Sequence, residues 1–196
     1  MKTRATVFGF LIVSAFLLPG CLVYNLEPLY ESKDLLSEPD LSGVWKKSGE
    51  ESKLTFVQND SGTYDTIFDD GKGKKAKYIC GLVKLNGRFF MDVTDSADPL
   101  SSSLDIKGRT IFRVVFEDKK IRLQLLSESW LEERLKKGKI KIKHFLKGYS
   151  YQIGDKPSDA NHIVLTASTK ELKKFIAKIA NKNEAFTSGD EYIHKK

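Results

Sequence analysis

Asn86-Gly87 sits between two runs of alternating polarity, 76–85 and 88–92, and this decides the fold class of the chain. Both residues tolerate the positive φ of a two-residue hairpin turn, so the pair predicts two antiparallel strands joined without slack. The logic recurs further on. Residues 111–117 and 121–126 flank Asp118-Lys119-Lys120; Phe112, Val114 and Phe116 share one face, and Ile121, Leu123 and Leu125 line one face of the partner. Residues 53–57 alternate weakly, Tyr64, Thr66 and Phe68 share a face, and Asp70-Gly71 marks a turn. Lys139 to Lys143 alternates lysine with Ile140 and Ile142 as a half-solvated strand, and 149–153 and 162–166 complete the set. A mainly β fold follows, an antiparallel β-barrel or sandwich.

Two helices interrupt the strands. Ser129 with Glu132 opens a short mid-chain helix over 130–137, stopped by Gly138. Ser168 with Glu171 opens an amphipathic C-terminal helix, in which Leu172, Phe175, Ile176 and Ile179 form one apolar stripe. That stripe is expected to cover an open edge or the mouth of the sheet.

The N-terminus carries a different kind of signal. Lys2 and Arg4 precede twelve nearly unbroken apolar residues, 7–18, and then Leu18-Pro19-Gly20-Cys21. The apolar run is too short to span the roughly 30 Å of hydrocarbon as a permanent helix, but it has the length of a secretory h-region. Residues 1–21 resemble the signal and lipobox of bacterial lipoproteins; Leu18, Gly20 and Cys21 match the pattern and Pro19 departs from it. The resemblance implies cleavage between Gly20 and Cys21 and lipidation of Cys21, with palmitate-type acyl chains. It also implies a lipid-anchored cell-envelope protein that meets the bilayer through acylated Cys21. Leu22 stands where an inner-membrane retention aspartate is found in Gram-negative lipoproteins, so the precedent leans to the periplasmic face of the outer membrane.

On this reading 1–20 is a signal peptide, 21–40 a tether, 41–186 a single β-rich domain with its C-terminal helix, and 187–196 a flexible tail. Part of the tether is expected to dock on the domain or skim the lipid, because Leu22, Val23, Tyr24, Leu26, Leu29 and Tyr30 are too apolar for a free linker. Loss of Lys2 and Arg4 lowers the formal charge from +7 to +5. Cys80 is then the lone thiol, in an apolar run that suits a buried filler.

Gly43-Val44-Trp45, followed by Leu54-Thr55-Phe56 and Gly62-Thr63-Tyr64, is similar to the start of a lipocalin-like barrel. The resemblance implies eight up-and-down strands, an indole at Trp45 closing the barrel base, Gly43 beside it, and a helix packed outside near the C-terminus. The mid-chain helix and the long segment 96–108 depart from that plan.

No pattern for chemistry accompanies the fold. His-Glu-x-x-His, Cys-x-x-Cys and Gly-x-Ser-x-Gly are missing, and His144, His162 and His194 lack metal-ligand spacing. No catalytic residue, metal or cofactor is expected. Six lysines in 136–147, with those of the C-terminal helix, could form a basic face for anionic head groups or an acidic envelope polymer. Solvated lysines guarding strand edges explain the same composition. Nucleic acid is disfavoured by the export signal. The expected function is non-enzymatic binding of a small apolar ligand, with Phe56, Tyr64, Phe112 and Phe116 as candidate cavity lining, or of an envelope protein. The alternative is a structural or assembly module of the envelope.

Overall fold

The computed structural model describes residues 22–96, 108–153 and 156–195. Gly20 and Cys21 lie outside the described residues, as does most of the 96–108 segment. The strands are β1 (Tyr24–Asn25), β2 (Gly43–Lys47), β3 (Lys53–Gln58), β4 (Tyr64–Asp69), β5 (Lys75–Leu85), β6 (Arg88–Asp95), β7 (Arg109–Glu117), β8 (Lys120–Leu125), β9 (His144–Ile153), β10 (Lys156–Leu165) and β11 (Asp190–Lys195). The helices are α1 (Glu128–Lys136) and α2 (Thr169–Ile179).

Strands β2 to β8 pair in chain order, and β11 closes the ring between β8 and β2. The result is a closed eight-stranded antiparallel barrel, so the sandwich alternative falls away. Closure removes the sheet edges that an open meander would leave unpaired. Asn86 and Gly87 adopt φ of 48° and 78°, the positive pair that their turn requires. Between β8 and β11 the chain leaves the barrel as α1, the hairpin β9–β10 and α2. The short β1 joins this layer to the wall, antiparallel to β7 and parallel to β10.

Inward residues fill the lumen. Phe56, Tyr64, Leu82 and Ile121 are at most 1% exposed and pack with Trp45, Met91, Val114 and Tyr192. Cys80 is buried among them as a hydrophobe; it accepts a hydrogen bond from Thr66 Oγ1 at 3.2 Å, and burial pushes its thiol up to about 12. Trp45 donates its Nε1–H to the Leu41 carbonyl at 2.7 Å and meets the His194 ring at 4.7 Å between centroids. Gly43 beside it has φ +115°, and a Cβ there would fall 2.6 Å from His194 Nε2. Only glycine fits.

A second core lies outside the barrel. Strand β5 is apolar on both faces where it passes under α2, so Val83 joins Phe90 of β6 against Leu172, Phe175, Ile176 and Ile179. Trp130 and Leu131 of α1, Ile163 and Leu165 of β10, and Val23 and Leu29 complete it. The α2 stripe thus covers the outer wall and not the mouth, because that wall is itself apolar. Its capping box is present: Ser168 Oγ accepts from Glu171 N, and Glu171 Oε2 accepts from Ser168 N at 3.0 Å.

Three other expectations change, and the docking expected of part of the tether is met. The 187–196 stretch is not frayed, since β11 is the closing strand. Helix α1 is capped by Ser127, whose Oγ accepts from Trp130 N, and not by Ser129. Residues 139–143 are not a strand: the amides of Lys139 and Ile140 both go to the Arg134 carbonyl at the end of α1, which removes them from any ladder. The expected tether is stitched to the barrel as a strap.

Asp92, fully buried on β6, holds that strap. Its Oδ2 accepts from Leu29 N at 2.5 Å and its Oδ1 from Arg109 Nε at 2.9 Å, while Arg109 Nη2 reaches the Tyr30 hydroxyl at 3.3 Å. The Tyr30 ring lies on Gly81, where a Cβ would collide with it.

Candidate functional site

Helix α1, the extended 139–143 segment and helix α2 enclose a groove of about 650 Å³ on the outer layer. Gly138 ends α1 with φ +63°, and the Lys143 carbonyl accepts from Thr166 N at 2.9 Å, so the segment is fixed at both ends. Between those ends its side chains alternate. Ile140 and Ile142 pack against the outer core, whereas Lys139, Lys141 and Lys143 are exposed. Trp130, Ala167, Phe175 and Ile179 supply the rest of an apolar floor. Lys174, Lys178 and Lys182 of α2 and the chain beyond it form the opposite rim.

Charge in this groove is one-sided. Six lysines and Arg134 line it against a single carboxylate, Glu171, which the Ser168 hydroxyl and amide and then Lys143 hold below the usual carboxylate range. Two residues beside the groove also hold sealed nitrogens. Among the described residues Trp130 Nε1 and Arg134 Nε are buried without a hydrogen-bond partner, and the Arg134 guanidinium lies over the Trp130 ring, 5.7 Å from its centroid. Each buried N–H left without an acceptor costs about 1–3 kcal/mol. Chemically, the groove offers an apolar slot and a cationic rim.

The sequence-derived candidates separate in space. Gly43 and Trp45 lie on β2, with Trp45 buried in the lumen core, and line neither this groove nor its rim. Phe56 and Tyr64 fill the lumen, and Phe112 and Phe116 are partly buried there. The lysines of 136–147 contribute three of their number to the groove, joined by Lys174 and Lys178 of α2 and by Lys182. Sequence reasoning missed the Trp130–Arg134 pair, whose i, i+4 spacing on a helix places the two side chains together. His162 faces Tyr24 edge-on at 5.1 Å, His194 packs on Trp45, and no metal-ligating cluster occurs among the described residues. Among the described residues no helix is long and apolar enough to cross a membrane.

The strap fixes the start of the described chain. Val23 is 5% exposed in the same outer core as Trp130, and Leu26 N bonds to the Leu165 carbonyl at 3.1 Å. Cys21 precedes buried Val23 by only two residues, a reach of about 7 Å. Comparison with protein-family models, with curated proteins and with solved structures finds no match to this chain.

Proposed function

We propose that this chain is a non-enzymatic, lipid-anchored lipoprotein of the bacterial envelope, whose outer groove binds an anionic amphiphile of the membrane. The lipobox-like residues Leu18, Gly20 and Cys21 support the anchor, and Gly43 and Trp45 on the first strand of a closed eight-stranded barrel support a lipocalin-like reading. The lumen is occupied by its own aromatic side chains, so the ligand belongs on the outer layer. The observation that carries this reading is the pairing of an apolar floor with a rim of six lysines against a single carboxylate. Acyl chain suits the floor, and a negative head group suits the rim. With Cys21 so close to the folded layer, acylation would hold the domain flush with the bilayer instead of on a long leash.

Flotation of the full chain with phosphatidylglycerol and with phosphatidylcholine vesicles tests it. Lys2, Arg4 and the apolar run are the same in wild type and variant, so the change in the ratio on substitution reports the groove. The reading expects preference for phosphatidylglycerol, cut about tenfold or more in a Lys141→Glu/Lys178→Glu variant, given about 1 kcal/mol per lysine near an anionic surface. Equal partitioning into both vesicle types contradicts it.

A second reading, an envelope assembly module, is favoured by Phe145 and Leu146, which are 38% and 53% exposed at the base of β9. Loss of a co-purifying envelope protein on Leu146→Asp, with vesicle preference unchanged, would select that reading.

A further inference from the structure

The outer wall of β6, β7 and β8 carries a second cleft, about 630 Å³, bordered by the chain that follows α2. The register pairs Phe90 with Arg113, which puts Arg88 and Arg113 on the same outward face of adjacent strands. Arg122 also borders this cleft, but it is neutralised by Glu117 at 3.3 Å and Glu191 at 3.9 Å. Among the described residues no carboxylate pairs with the other two. Arg113, only 6% exposed, gives its Nε to Gln124 Oε1 at 2.9 Å and its Nη1 to the Ala180 carbonyl and Asn183 Oδ1, each at 3.2 Å. Its guanidinium lies 4.4 Å from the Phe186 ring centroid. Arg88 gives its Nε to Asn181 Oδ1 at 2.8 Å. Every one of these acceptors is neutral.

A buried cation normally finds a carboxylate, because neutral acceptors satisfy its hydrogen bonds and leave its charge. Here a second cation stands beside it. Burial and then the charge of Arg88 both pull Arg113 below its ordinary value, which records a desolvation and a repulsion that no described carboxylate relieves. An anion between the two guanidiniums would relieve both.

We propose that this cleft binds a phosphate-class oxyanion between Arg88 and Arg113, with the exposed Thr187 and Ser188 at its mouth. A phosphate group suits two guanidiniums that arrive from different strands, since its oxygens can each take a charge-assisted hydrogen bond. Free phosphate and the phosphate of a lipid head group share this chemistry. The site is separate from the lysine groove and does not depend on the reading given to it.

Isothermal titration calorimetry of the detergent-solubilised full chain at low ionic strength, with inorganic phosphate and with glycerol 1-phosphate, tests the assignment. Saturable one-to-one binding is expected, with Arg88→Gln weakening it about tenfold, the loss of one charge-assisted pair. Arg88 is exposed, so that variant keeps the fold even where Arg113→Gln does not. Tighter binding of phosphate identifies the free anion as the ligand, and tighter binding of glycerol 1-phosphate identifies a head group; either supports the site. Absence of saturable heat, or equal affinity in Arg88→Gln, overturns it.

Discussion

The lumen core and the outer core draw on the same apolar residue types, yet they treat polar groups in opposite ways. In the lumen, Trp45 Nε1 has the Leu41 carbonyl, the Tyr64 hydroxyl accepts from Leu41 N, and Thr66 bonds to Cys80. In the outer layer, among the described residues, Trp130 Nε1 and Arg134 Nε have nothing, and Arg113 has only neutral partners. Unsatisfied capacity in a folded protein is a cost that packing elsewhere must offset. Its confinement to one layer separates a part that holds the shape from a part equipped to bind.

The largest effect that probes this division is Phe56→Ala. It should cost about 3–5 kcal/mol in denaturant unfolding by opening the lumen, and leave the phosphatidylglycerol preference intact. A lost preference in a still folded protein would place the ligand inside the barrel and break the comparison.

Asp92 comes next, since it joins the strap to the wall. Asp92→Ala should cost about 3 kcal/mol, because it strands Arg109 and the Leu29 amide. Burial raises the Asp92 carboxyl above the ordinary range, with Arg109 opposing. A raised acid stabilises the fold fully below its unfolded value of 3.8, and that contribution fades as pH climbs through the raised value. The difference in unfolding free energy between wild type and Asp92→Asn should therefore shrink with rising pH; growth would contradict the assignment.

Gly43→Ala should cost about 2 kcal/mol from its positive φ and the approach to His194, with the near-ultraviolet circular dichroism of Trp45 disturbed. Smallest is Ser168→Ala, about 1 kcal/mol for the α2 cap, read by the same unfolding curves.

Legibility from sequence followed the range of the interaction. Asn86-Gly87 and Asp118 specify their hairpins locally, and the α2 cap and stripe are equally local, so each could be read directly. Strand β11 could not. Its sequence Asp190-Glu191-Tyr192-Ile193-His194-Lys195 alternates poorly, and it is a strand because β8 and β2 leave a gap of one strand between them. The strap was half legible: its apolar residues announced docking, but the clasp depends on Asp92 and Arg109, which are remote from it in sequence. The 139–143 alternation was real but ambiguous, since an extended segment over two helices shows the same period as a strand. For the groove, the lysines were evident while the floor was not. Arg113, a lone arginine within Ile111-Phe112-Arg113-Val114-Val115, was the available signal for a buried charge.

The chain has only two tryptophans, one in each core, and they allow the most direct test. Fluorescence of Trp45→Phe and Trp130→Phe variants, titrated with brominated phosphatidylglycerol vesicles, reports which core the lipid reaches. The account predicts strong quenching when only Trp130 remains and little when only Trp45 remains. Quenching of Trp45 with Trp130 untouched would contradict it.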